Sequence, residues 1–137
     1  MTRRDYLQVI KHTKKARKQK SKIEIFLFDS HIAGTSYIDN IEKLLEKLDI
    51  SSRLDFQREE DNLYDLQAIK IIDPEGNKLG YVPQRDNVIF ARLMDHGKKL
   101  FAKIRKIDLK GKWYKIDIAI FLEEERIMSE DSNSWRW

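Results

Sequence analysis

Lys22-Ile23-Glu24-Ile25-Phe26-Leu27-Phe28 begins in alternation of polar and apolar positions and ends fully apolar, the pattern of a strand entering a core. His31-Ile32-Ala33-Gly34-Thr35 breaks it. Ile38, Ile41, Leu44, Leu45 and Leu48 then recur at helical spacing, with Asp39 and Glu42 in capping-box positions, and predict a short amphipathic helix. Arg53 to Arg58 alternates as a strand, and residues 58–69, REEDNLYDLQAI, read as a loop that runs into the next strand, Ala68 to Asp73. Pro74-Glu75-Gly76-Asn77 has turn chemistry, and Lys78 to Val82 completes a hairpin that Pro83 stops. Ile89, Phe90, Leu93 and Met94 predict a second helix over Asn87–His96, with Gly97 at its C-cap. Leu100 to Leu109 alternates, Lys110-Gly111-Lys112 is a hairpin turn, and Trp113 to Leu122 is the last strand.

Two ends flank this body. Residues 4–20 are mostly good helix formers with Tyr6, Val9 and Ile10 at helical spacing, which predicts an arm helix. Residues 123–137 are acidic, then rich in Ser and Asn, and end Trp-Arg-Trp, which predicts a disordered tail. The expected organisation is a basic helical arm over 1–22, a domain over 23–122 and the tail over 123–137. The order is an arm helix and then β-α-β-β-β-α-β-β. The expected fold class is mostly β with two helices (α+β): a small, six-stranded, partly closed barrel plus an N-terminal basic helix. Crossovers long enough for parallel pairing are scarce, and there is no internal repeat.

Charge sharpens that division. Of 137 residues, 27 are Lys or Arg and 23 are Asp or Glu. Residues 1–22 hold nine of the cations and one acid, a charge of +8, so the remainder carries −4. Such asymmetry points to a polyanion such as nucleic acid, with Lys14, Lys15, Arg17 and Lys18 as the arm's contacts. The length suits one domain with one core. No apolar run reaches the length of a membrane helix, and the N-terminus lacks the apolar stretch of a secretory signal. There is no cysteine, which removes disulfides and thiolate chemistry and fits a reducing cytoplasm.

Enzyme chemistry finds little support. His12, His31 and His96 are scattered without metal-ligand spacing, no phosphate-binding glycine loop occurs, and no cofactor is expected. Asp73-x-Glu75-x-x-Lys78 has a nuclease-like composition, but it sits on a Pro-Gly turn where both acids are expected to face water. His31 stands before the Gly34 turn, either solvated or at the rim of a pocket.

Three blocks remain: Ala33-Gly34-Thr35-x-Tyr37, Arg58-Glu59-x-x-Asn62-x-Tyr64-Asp65-x-x-Ala68-Ile69 and Gly80-Tyr81-Val82-Pro83. By residue type alone, Asn62 and Asp65 suit a loop, and Tyr64 a barrel rim. In this order and spacing the blocks resemble the HIRAN domain, over residues 23 to about 122. The resemblance implies an OB-like barrel that holds the 3′ end of single-stranded DNA, with a role in DNA repair or replication-fork processing. It implies that Tyr37 and Tyr64 stack bases, that Asp65 meets the 3′-hydroxyl, and that Asn62 stands beside it. Ser36 occupies a position where the resemblance expects an Arg, and Tyr81 one where it expects a His. A Lys pair is replaced by Pro83-Gln84, which leaves Arg85 and Arg92 as the nearest cations. Tyr114 or Trp113 stands for a late aromatic. Gly34 and Gly80 read as backbone requirements. The expected partners are single-stranded DNA or its 3′ ends and a DNA-processing protein, with no membrane and a cytoplasmic or nucleoid location. The alternative is a protein-interaction adaptor that keeps the barrel as a scaffold.

Overall fold

Residues 19–128 are described in the computed structural model. The elements are β1 (Gln19–His31), a 3-10 turn (Thr35–Tyr37), α1 (Ile41–Glu46), β2 (Arg53–Arg58), β3 (Ile69–Ile72), β4 (Lys78–Tyr81), α2 (Gln84–Asp95), β5 (Lys99–Lys110) and β6 (Trp113–Met128). The chain divides into two units, Glu24–Glu123 and the chain ends. Of the ends, only residues 19–23 and 124–128 are described, as the outer parts of β1 and β6. The helix expected over 4–20 lies outside the described residues up to Lys18, and Gln19 and Lys20 belong to β1 instead. The tail expected from Glu123 is corrected over its first residues, because β6 runs to Met128. Beyond that the tail is outside the described residues.

The strands form one six-stranded sheet in the order β1-β6-β5-β2-β3-β4, which matches the expected mostly-β class with two helices. β2 pairs antiparallel with β3 and β5, β3 with β4, and β5 with β6. The sheet's two ends meet at one point. Ala33, just past β1, donates its N–H to the carbonyl of Tyr81 at 2.8 Å, and the Tyr81 N–H returns a bond to Ala33 at 2.9 Å. That single bridge turns an open sheet into a partly closed barrel. It also explains Gly80. A Cβ there would lie 2.4 Å from the Ala33 carbonyl oxygen, so only glycine lets the two edges approach.

Period-two patterning fills the interior. Leu54 and Phe56 of β2, Ile69 and Ile71 of β3, Leu79 of β4 and Ile116, Ile118 and Ile120 of β6 face one core. Ile41, Leu44, Leu45 and Leu48 pack on it from α1 and the residues after it. β1 departs from the expectation of an apolar run entering the core: Leu27 packs on the core, while Ile25, Phe26 and Phe28 are exposed. The expected capping box at Asp39 is not formed. The helix starts after Asn40, whose positive φ of 65° sets the turn without a side-chain cap bond. α2 starts three residues earlier than its apolar pattern suggested, directly after Pro83. It closes as expected at Gly97, whose N–H donates to Met94, while Lys98 donates to Leu93.

Asp73 corrects another expectation. It does not face water but is 5% exposed. Its carboxylate accepts the Glu75 N–H at 2.9 Å, the Asn77 N–H at 2.8 Å and the Asn77 side-chain amide at 3.1 Å. The nuclease-like triplet is a self-capped turn.

Candidate functional site

Where the barrel's edges meet, a cleft of about 720 Å³ opens. Its walls are the turn after Ala33, the loop between β2 and β3, and the chain entering α2. That volume is in the range of small-ligand pockets. Tyr37, Asn62, Tyr64, Asp65, Tyr81 and Arg85 all line it, as does His31.

Each aromatic is presented by local backbone chemistry. Gly34, at φ 77°, turns the chain so that the 3-10 turn follows, and the Thr35 hydroxyl anchors that turn to the Tyr114 carbonyl at 2.8 Å. Tyr37 emerges 88% exposed. In the opposing loop the Asn62 carbonyl oxygen accepts the N–H groups of Tyr64 at 2.9 Å and Asp65 at 3.1 Å, while its amide donates to Glu59 at 3.0 Å. This Asx turn leaves Tyr64 95% exposed. Asn62 thus spends its carbonyl on loop shape, and one amide hydrogen is left for a ligand.

Arg58 ties the loop down. Its guanidinium donates to the carbonyls of Ala68 at 2.8 Å and Leu66 at 3.0 Å, and to both oxygens of Asp95 on α2 at 2.8 and 3.3 Å. The bond from Arg58 holds the Asp95 carboxyl below the ordinary carboxylate range, and the same bond raises the guanidinium.

Asp65 is held from two sides. One oxygen accepts the Gln67 N–H at 2.9 Å and the other accepts the Asn87 amide at 2.7 Å. About half of the carboxylate's roughly four acceptor positions stay open. Asn87 is 2% exposed, so its amide is a fixed donor. Sequence reasoning missed it. The signal was available, because Asn87 stands at i, i+3, i+4 with Phe90 and Ala91, a polar residue on the buried stripe of α2.

The other expected residues divide. The Tyr81 hydroxyl donates to Glu59 at 2.8 Å and accepts from Lys78 at 2.8 Å, and the Lys78 ammonium lies 4.4 Å from the ring centre. Tyr81 is therefore a wall whose polar end is already spent. The Arg85 side chain is 73% exposed and stands 3.7 Å from Asp86, a loose pair. Ser36 is exposed on the turn but does not line the cleft. Tyr114 does not line it either. Its ring packs against the core, and its contribution is the carbonyl that holds Thr35. Trp113 is likewise outside the lining. Lys14, Lys15, Arg17 and Lys18 lie outside the described residues. Among the described residues, no group of three or more His, Asp or Glu could hold a metal ion, and no helix is long and apolar enough to cross a membrane.

A partly closed six-stranded barrel with an aromatic-flanked cleft at its seam defines a small binding domain. The chain belongs to the HIRAN domain family, whose pattern matches residues 25–125. A crystal structure of a protein from Lactobacillus plantarum is similar at 27% identity and a TM-score of 0.70, covering 76% of this chain and 99% of that one. The HIRAN domain of human HLTF shares the fold at 16% identity and a TM-score of 0.58, covering 81% and 84%. No curated protein matches. Membership supports a DNA-binding domain.

Proposed function

We propose that the cleft holds the 3′ end of a single DNA strand. Bases stack on Tyr37 and Tyr64, and the terminal 3′-hydroxyl donates to Asp65. The carrying observation is that two nearly fully exposed tyrosines flank a cleft that also holds a braced carboxylate with acceptor capacity to spare. A base on an aromatic face contributes roughly 1–3 kcal/mol and tolerates any sequence. A carboxylate accepts a hydrogen bond from a hydroxyl but repels a phosphate, so the site discriminates a free 3′-hydroxyl from a 3′-phosphate. The cations of residues 1–22 add phosphate neutralisation, which contributes most of the affinity of proteins for nucleic acid. The role this implies is in DNA repair or replication-fork processing, beside a DNA-processing protein.

The test is fluorescence anisotropy with a short single strand at one moderate salt concentration. The parent should bind a 3′-hydroxyl end more tightly than a 3′-phosphate end, and Asp65→Asn should erase that preference. Equal binding of both ends by the parent rejects end reading.

A second reading has its own observation. Leu63 is 94% exposed and Leu66 70% exposed on the same loop, an apolar surface that suits a protein partner. A chain that binds no oligonucleotide at moderate salt would be read as that adaptor.

A further inference from the structure

A second depression, of about 540 Å³, adjoins the cleft and shares His31 and Arg85 with it. Beyond those two residues it is lined by Arg105 and Lys106 of β5 and Lys115 of β6, with Asp29 and Asp117 as its acids. Four permanent cations thus face two carboxylates, although residues 23–137 carry a net −4. The cations converge here against the charge of the body that bears them.

A local irregularity of β5 makes this possible. Ile104 pairs with Ile118 and Lys106 with Asp117, which leaves Arg105 as an extra residue in a bulge. Before the bulge, Leu100, Ala102 and Ile104 face the core; after it, Ile107 does. Strict alternation would turn Lys106 inward. The bulge keeps Arg105 and Lys106 both exposed, side by side.

We propose that this depression is a phosphate track. It takes the phosphodiester backbone of the strand whose end lies in the cleft, with Arg85 and His31 at the junction. This rests on the end-binding reading above. The cations are free to exchange partners. Arg105 meets Asp29 at 2.9 Å, Lys106 meets Asp108 at 3.2 Å and Lys115 meets Asp117 at 4.0 Å, and the side chains of all three pairs are about a third or more exposed. Pairs so placed in water contribute little, so a phosphate can replace the carboxylate at small cost. The cleft of about 720 Å³ takes the end of the strand, and the track extends the footprint along its backbone.

Two 3′-hydroxyl ligands test it on the full-length chain: a dinucleotide, which fills only the cleft, and a strand of about ten nucleotides. Arg105→Gln, Lys106→Gln and Lys115→Gln are combined, with unchanged thermal unfolding confirming the fold. The triple variant should bind the dinucleotide like the parent and the long strand about tenfold more weakly. Its salt dependence, as log affinity against log salt, should flatten by about 2, near 0.7 for each cation removed. Parent-like affinity and slope for the long strand would overturn the track. So would a parent that binds the long strand no better than the dinucleotide, and in that case the end pocket would stand. Binding of neither ligand by the parent overturns both readings.

Discussion

Two short turns in this domain are each built around an aspartate, and they use it in opposite ways. Asp73 turns inward. It collects three hydrogen bonds from its own hairpin and is almost inaccessible to solvent. Asp65 collects one bond from its own loop and one from Asn87 on a different element, and keeps its remaining acceptor capacity toward a cleft. Beside Asp73 stand a proline and a glycine; beside Asp65 stands a tyrosine held in water. A carboxylate satisfied by its own turn is a structural group. A carboxylate braced from behind, next to an exposed aromatic, is the group we propose for binding.

This contrast predicts a double dissociation. The largest effect is expected from Asp73→Ala, which strands the Glu75 and Asn77 N–H groups and should lower unfolding stability by about 3 kcal/mol in urea titration. The affinity of the folded fraction for DNA should be unchanged; a matching loss of affinity would erase the distinction. Tyr64→Ala should do the reverse. Unfolding should not shift, because the ring is 95% exposed, while oligonucleotide affinity should fall by roughly 1–3 kcal/mol, about five- to 150-fold. Parent-like binding would remove Tyr64 from the site.

The smallest effect concerns the clamp behind the loop between β2 and β3. Arg58 lowers the carboxyl of Asp95, so the stabilisation from that pair is complete above the ordinary carboxylate value, about pH 4. It is lost as the pH falls through the lowered folded value. Between about pH 6 and pH 3 the parent should therefore lose slightly more stability than Asp95→Asn, which has no proton to gain. Equal pH profiles would show that the pair adds nothing measurable in solution.

Much of this was legible along the chain. Period-two alternation and turn residues located β2 to β5 to within a few residues and the start of β6, and helical spacing found α1 and α2. The HIRAN resemblance named Tyr37, Tyr64 and Asp65, and the structure brings all three around one cleft. Even the bulge left a trace, because the inward apolar positions jump from Ile104 to Ile107. Other features stayed hidden. Tyr114 looked like a late aromatic of the site, but its ring packs on the core. Asp73 looked solvated, but its own hairpin buries it.

The sequence by itself determined the elements and the chemistry offered on their loops, because propensity, alternation and turn residues act over a few neighbouring positions. Only tertiary structure decided which of those groups meet. Ala33 and Tyr81 lie far apart in sequence and close the barrel through one bridge. Asn87 reaches Asp65 across 22 positions of the chain. Arg85 joins Arg105 and Lys115 around one depression. Such encounters depend on sheet order and curvature. These arise from how the strands bury their shared core face, a property of the whole chain and not of any one segment.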